Sequence, residues 1–302
     1  MSSLLVTGSI GIDSVETPHG HVSDVLGGSS VYFSLAAAVF TPVRLVGVVG
    51  EDFDRSLLAP LEAKGVDTSG VETRAGSRTF RWQGRYEGSM NEAETVGVEL
   101  NVLAERGPEI PPQFADSEFV FLANTHPEIQ LGFARKMAGA RLIVCDTMNI
   151  WIENERDALL RTLKAVHGLV LNEGEARLLT GESNLVTAGR RILDLGPRFA
   201  VIKKGEHGSL LVSDYDLFLL AAYPTEKTID PTGCGDTFAG GMMGYLASRG
   251  AVGGAVLRSA MARGSVLGSF VIESFSIDAL ASATSEQVDQ RLAELKRITH
   301  YE

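Results

Sequence analysis

Residues 229–241 read IDPTGCGDTFAGG. An Asp-Pro pair leads into a turn with Gly233 and Gly235, the carboxylate of Asp236 follows, and a mostly apolar segment runs on behind it. Residues 234–248 contain no proline, and Phe238, Met242, Tyr245 and Leu246 share a helical face, so the spacing predicts a helix there. Gly233, Cys234 and Gly235 then sit at its N-terminus, where the first backbone N–H groups lack partners and the dipole end is positive. Glycines let those N–H groups approach a ligand closely, which makes the turn an anion site. Asp236 at its mouth is placed to accept a proton from a hydroxyl that attacks a phosphate. An Asp near a helix start also serves as a plain cap or dipole partner, and the turn alone leaves both readings open. Two other phosphate loops are excluded. No Gly-Lys-Ser/Thr follows, as in a Walker loop, and no GxGxxG follows an early strand, as a nicotinamide dehydrogenase requires.

Around this stretch, short β-branched runs recur at 4–8, 44–50, 119–124, 141–146, 168–172, 199–204, 209–212 and 217–222. Most are apolar throughout, as strands covered on both faces are. Helical patterns lie between many of them, at 29–40, 53–64, 127–138, 153–165, 173–181 and 184–195, and the last third adds 234–249, 251–268 and 285–298. The alternation predicts βαβ units and an α/β fold with a largely parallel sheet between helices.

One region breaks the rhythm. Residues 78–103 alternate with period two on both sides of a polar turn: Phe80, Trp82 and Tyr86 on one face, Arg81, Gln83 and Arg85 on the other, then Val96, Val98, Leu100 and Val102. This reads as a hairpin outside the main sheet, to which residues 12–26 could add. A small sheet beside an α/β body suggests a lid over a cleft, while an edge hairpin or a dimer contact has the same pattern. Arg78, Arg81 and Arg85 would clamp a substrate phosphate if their face looked inward, and would solvate the hairpin if it looked outward.

Composition narrows the partners. Of 302 residues, 44% are hydrophobic and 22% charged, an ordinary globular balance, and the length suits one large domain with a small one inserted or appended. A net charge of -11 disfavours nucleic acid and anionic membrane surfaces, but not a small anion held by local donors. Two cysteines, Cys145 and Cys234, form no disulfide framework or zinc spacing, which fits a reducing, cytoplasmic setting. The start, MSSLLVTGSIG, lacks the basic region of a signal peptide, and no apolar run reaches the length of a membrane span.

DPTGCGDTFAGG strongly resembles the second signature of the ribokinase-like (PfkB-type) carbohydrate kinases. The resemblance covers nearly the whole chain. It implies a three-layer, doubly wound, mostly parallel sheet forming one domain over 1–302, with a β-sheet lid built from about 12–26 and 78–103. It makes Asp236 the catalytic base that activates a substrate hydroxyl toward the γ-phosphate of ATP, with Gly233, Cys234 and Gly235 as the anion hole. GSIGID (8–13) is similar to the opening whose Asp, here Asp13, holds sugar hydroxyls, and LGGSS (26–30) to the Gly27–Gly28 turn beside the substrate. LNEGEARLLTG (171–181) resembles the Asn-x-x-Glu element, so Asn172 and Glu175 would organise magnesium and phosphate, largely through water; the same pattern is a capping box. VIKKGEHGSLL (201–211) resembles the turn that lines the nucleotide with Gly205 and Gly208, next to Lys203. Asp230 and Thr232 match positions that bind a monovalent cation, potassium in this reading, through backbone oxygens. Asn124, Thr125 and Asn149 fall near family substrate positions, and pairing of lids implies a homodimer.

The sequence departs from the pattern at three places. Tyr32 stands where the family usually carries an Asn that touches the sugar. Cys234 replaces the common Ala or Gly, either as an acidified thiol at a helix N-terminus or as a small residue in a small space. DTMNIW (146–151) differs from the commoner Asp-Pro-Asn stretch. The expected activity is therefore phosphorylation of a sugar or sugar-like hydroxyl by Mg-ATP. A nucleoside kinase, motivated by an aromatic Tyr32 near the acceptor, is the alternative within the class. A non-catalytic sugar or nucleotide sensor is the alternative outside it.

Overall fold

The apolar runs become strands and the periodic stretches become helices in the computed structural model, which describes residues 3–91 and 93–300. The strands are β1 (Leu4–Thr7), β2 (Gly11–Thr17), β3 (Gly20–Gly27), β4 (Val43–Gly50), β5 (Val66–Arg74), β6 (Phe80–Tyr86), β7 (Ala93–Glu99), β8 (Phe119–Leu122), β9 (Leu142–Asp146), β10 (Gly168–Asn172), β11 (Phe199–Lys203), β12 (Ser209–Ser213) and β13 (Leu217–Leu220). The helices are α1 (Ser29–Ala38), α2 (Ala59–Ala63), α3 (Pro127–Lys136), α4 (Asn149–Asn154), α5 (Arg156–Leu163), α6 (Glu173–Thr180), α7 (Leu185–Asp194), α8 (Cys234–Arg249), α9 (Gly254–Val271), α10 (Asp278–Ser282) and α11 (Ser285–Thr299).

Nine strands form one sheet in the order β13-β12-β11-β10-β9-β8-β1-β4-β5. The run from β11 to β5 is parallel, and β12 and β13 fold back antiparallel at one edge. The chain starts in the middle, at β1, and winds outward on both sides, which opens a crevice at the carboxyl ends of the central strands. Helices cover both faces. Phe33, Met242 and Leu267, from α1, α8 and α9, lie in the core on one side. Phe133, Leu159, Ala176 and Ile192, from α3, α5, α6 and α7, lie in the core on the other. α8 approaches α1 so closely that a Cβ on Gly240 would stand 2.3 Å from the Phe33 carbonyl oxygen. That contact seats α8, and with it Asp236, against the centre of the sheet.

β5 was not among the expected strands. Its sequence, VDTSGVETR, has no apolar run: Val66, Thr68 and Gly70 turn inward while Asp67 and Ser69 face water, the period-two pattern of an edge strand. The short helices α4 and α10 were also unanticipated, because six and five residues carry too little periodicity to read.

The other four strands form a separate sheet, β3-β2-β6-β7. β2 and β6 pair in parallel, and the outer pairs are antiparallel. Register places Trp82 opposite Asp13 on one side and Val98 on the other, so the three share a face. That face looks toward the large sheet: Tyr86, two positions further along it, meets Thr232, and Val15, Tyr86 and Met90 form a small core there. Arg81, Gln83 and Arg85 point the other way. The expected alternation of 96–102 fails in two places. A bulge between the Gln83 and Gly84 pairings leaves Val96 over, and a 3-10 turn over Asn101–Ala104 carries Val102 into the core.

Candidate active site

Gly233 caps α8 in the left-handed region, with φ at 74°. A Cβ there would also lie 2.3 Å from the ring of Tyr32, so the position excludes other residues twice over. Tyr32 sits on α1, 2% exposed, with its ring against the turn. The ring supports the turn from below and leaves little surface on which a base could stack. Its phenol is pushed far above the usual range by burial and by the carboxylates of Asp13 and Asp230, so it stays a neutral hydroxyl.

Asp236 occupies the first turn of α8. Protein surrounds it except toward the crevice, and this burial raises its carboxyl to about 7, against the pull of Lys203 and with a further push from Glu175. Asp13, 4% exposed on β2, is likewise raised to about 7, by burial and then by Asp230 and Asp236, while the Gly28 N–H holds it back. Asp13 on β2 thus feels the charge of Asp230, in the stretch before α8, and of Asp236 on α8 itself. A Cβ on Gly27 would stand 1.8 Å from Asp13 Oδ2, and only a glycine lets that carboxylate lie against the chain. Gly28, φ 106°, passes 2.5 Å (by its absent Cβ) from the Ser9 carbonyl oxygen and caps α1.

The Asp230 carboxylate is 1% exposed in residue terms and accepts two backbone N–H bonds, from Thr232 at 2.9 Å and Ser276 at 3.4 Å. Ser276, itself at φ 54°, donates its hydroxyl to the Leu26 carbonyl at 2.8 Å. One serine thus links the turn before α8 to the end of β3.

Lys203 ends β11. A Cβ on Gly235 would lie 2.5 Å from its Nζ, so the ammonium stands directly on the anion turn. Asn172 ends β10 and forms a complete capping box with Glu175: each donates a backbone N–H to the other's side chain, at 2.7 and 2.8 Å. The cap and a ligand role are compatible, because the cap engages Glu175 Oε2 alone among its oxygens. Gly205 and Gly208, φ 53° and 85°, turn β11 into β12, and Gly208 packs on the Leu220 carbonyl, where a Cβ would fall at 1.9 Å.

Of the other expected substrate residues, Asn124 and Thr125 follow β8, and Asn149 follows β9. Asn124 accepts from Trp151 Nε1 at 2.8 Å, so α4 already engages its side-chain oxygen. Thr125 lines a small cavity with Thr7, Val102 and Ile129. Asn149 is exposed at the start of α4. The arginines pair outward: Arg81 with Asp24 at 2.7 Å, Arg85 with Glu16 at 3.2 Å, and Arg78 with Asp52 at 4.0 Å. They solvate the outer face of the small sheet and form no clamp. Cys234 turns its Sγ to the Gly268 carbonyl on α9 at 3.8 Å, and burial raises its thiol to about 11. It is a small residue in a helix contact, with no acidified thiol.

Asp146 was missed. It ends β9, is 6% exposed, and its Oδ1 is buried without a hydrogen-bond partner. Burial, reinforced by Asp236, holds its carboxyl well above the usual range against the pull of Lys203. Its signal was its place at the end of an apolar strand, in the DTMNIW stretch read only for Asn149. Asp146, Glu175 and Lys203 thus gather around Asp236 from the carboxyl ends of neighbouring strands, where an anionic ligand and its cation would meet.

A glycine-lined helix start with one carboxylate beside it and a second opposite is an arrangement that could serve phosphoryl transfer. The model of the pfkB family carbohydrate kinases matches residues 1–283, and the chain belongs to that family. It is a phosphotransferase acting on hydroxyl groups. The chain is 33% identical over 260 residues to the cytidine kinase of Thermococcus kodakarensis, covering 82% of this chain and 90% of the relative. Its fold matches Burkholderia thailandensis nucleoside kinase, solved with inosine, at a TM-score of 0.78 and 19% identity, covering 99% of each chain. It matches Arabidopsis thaliana ribokinase, solved with ribose and ATP, at 0.77 and 19% identity, covering 96% of this chain and 98% of that one. The fold is accordingly ribokinase-like, with helices flanking the large sheet and the four-stranded sheet beside it. Among the described residues no helix is long and apolar enough to cross a membrane.

Proposed function

We propose that this protein transfers the γ-phosphate of ATP to a hydroxyl of a nucleoside, with the four-stranded sheet as a lid over the acceptor. The observation that carries the nucleoside reading ahead of a free sugar is the 33% identity to a cytidine kinase over most of both chains. The lid supports it. The six-membered ring of Trp82 lies over Gly84, where a Cβ would come within 2.0 Å, and shares the face of Asp13. A flat indole beside the carboxylate that holds ribose hydroxyls is the platform a base would stack on. In this reading the aromatic partner is Trp82 rather than Tyr32.

Asp13 orients the acceptor hydroxyls, and Asp236 takes the proton of the attacking one as the base, its carboxyl poised near neutrality. The N–H groups of Gly233, Cys234 and Gly235 hold the charge on the transferring phosphoryl, with the Lys203 ammonium beside them. The site suits magnesium carried in by the nucleotide. Among the described residues no three acidic, histidine or cysteine side chains converge as a cage, while Asp146 Oδ1 is an unpartnered oxygen near Glu175. Magnesium commonly takes one or two carboxylates and fills its shell with water and phosphate oxygens. Bound there, it would neutralise the phosphate oxygens. Asp230 and Thr232 are the candidate backbone ligands of a monovalent cation such as potassium. A homodimer through the lid would cover Val96 and Leu100, which are 54% and 45% exposed.

The test is a panel of nucleosides and free sugars with Mg-ATP. Turnover of cytidine or another nucleoside above ribose is expected. Turnover of a free sugar with no nucleoside accepted would overturn the acceptor assignment.

A further inference from the structure

We infer that Tyr86 is a positioning residue for phosphoryl transfer, tying the lid to the turn that receives the phosphate. The inference rests on the reading of residues 233–235 as the phosphate site. Thr232 Oγ1 donates to the Tyr86 hydroxyl at 3.3 Å across 146 residues of sequence, and Thr232 directly precedes that turn. Tyr86 is 8% exposed and packs with Val15 and Met90, so the bond is shielded from water. Its phenol is held above the usual range by burial, with Asp230, Cys234 and Asp13 adding and the Thr232 bond opposing, so it remains protonated at neutral pH.

The geometry gives this contact a role that a packing tyrosine lacks. Asp13 lies on β2 and Tyr86 on the adjacent β6, so both move with the lid, whereas Asp236 and the anion turn belong to the large sheet. Transfer needs the acceptor hydroxyl within about 3.5 Å of the phosphoryl, and an error of about 1 Å is costly. The bond between Tyr86 and Thr232 is a buried point at which the two bodies register, on the β6 side, as Ser276 and Leu26 are at the end of β3. The tip of the same hairpin makes a more exposed contact, Asn91 Nδ2 donating to Glu206 at 3.4 Å beside the Gly205 turn. Tyr86 makes no hydrogen bond to Asp236, so it acts through Thr232 rather than on the reacting atoms.

The variants are Tyr86→Phe, which keeps the ring, and Thr232→Val, which keeps the volume. For each, kcat, both KM values, and ADP formed per acceptor phosphorylated are measured. About a tenfold fall in kcat is expected for Tyr86→Phe, with KM for ATP within about twofold. Excess ADP should appear, because a poorly registered lid admits water. The double variant should be no worse than either single one, as for two ends of one bond. A Tyr86→Phe protein with wild-type kcat and no excess ADP, or effects that multiply, would overturn the proposal. If the wild type transfers no phosphate, the functional reading fails instead. Hydrogen exchange of the β6 and β7 amides then still decides the tie: faster exchange in Tyr86→Phe supports it, and unchanged exchange refutes it.

Discussion

The central strands of the large sheet lie under helices on both faces, whereas the small sheet has one face over the crevice and the other in water. In the proposed reading, the large sheet carries the groups that act on phosphate. Asp146, Asn172 and Lys203 end three adjacent strands, and Asp236 rides on a helix locked to the core. The strand bodies and the helix that carry them are densely packed, which tolerates little change. The small sheet carries Asp13, Trp82 and Val98 side by side, in a register set by four strands, and in the proposed reading these meet the acceptor. In the proposed reading, transfer chemistry and acceptor choice thus sit on different bodies, one covered on both faces and one with a face in water.

The sharpest way to break this division is Asp236→Asn. We expect kcat to fall by about a thousandfold with ATP binding nearly intact, because a general base contributes on the order of a hundredfold to ten-thousandfold. Retained turnover would remove the large sheet from the chemistry. The same variant has a stability signature. A carboxyl at about 7 in the fold and 3.8 unfolded stabilises the fold fully below the lower value, and loses that contribution as pH rises through the upper one. Asp236→Asn should therefore melt higher than wild type at pH 8, with the gap closing toward pH 4.

Activity should rise with pH around a midpoint near 7, as Asp236 loses its proton. Lys203→Met should move that midpoint upward, because the ammonium favours the ionised carboxylate; a pH profile of kcat/KM reads the shift. On the other body, Trp82→Ala should raise the acceptor KM about tenfold and leave the KM for ATP unchanged, since stacking on an aromatic is worth about 1–3 kcal/mol per base. An equal rise in both constants would erase the separation of roles. Cys234→Ala should be the quietest change, with kcat within about twofold, because the thiol faces Gly268.

The two bodies also differed in how far the sequence revealed them. Strands of the large sheet announced themselves as unbroken apolar runs, and only β5, exposed along one face, lacked that mark. The residues that shape the anion turn were legible for a local reason. Gly233 and Gly28 adopt backbone conformations that other residues avoid, and such glycines are visible in one dimension. Asp146 was not, since a carboxylate at the end of a strand looks the same whether it faces water or a buried cluster. Trp82 and Tyr86 were legible as an apolar face. Their partners were not, because the parallel pairing of β2 with β6 spans some sixty-odd residues and no short-range rule sets its register. The direction of Arg81 and Arg85 waited on the same pairing.

Ser276 sets an order of assembly. It touches Leu26 across 250 residues and holds the Asp230 carboxylate from the other side. During synthesis every strand of both sheets is made before this serine is, and the loop it pins stays loose until then. A nascent chain halted short of residue 276 would own Asp236, the 233–235 turn and the small sheet, yet lack the serine that ties the stretch before α8 to the end of β3. Activity in this kinase should therefore appear late and all at once, when one of the most distant contacts in the chain closes.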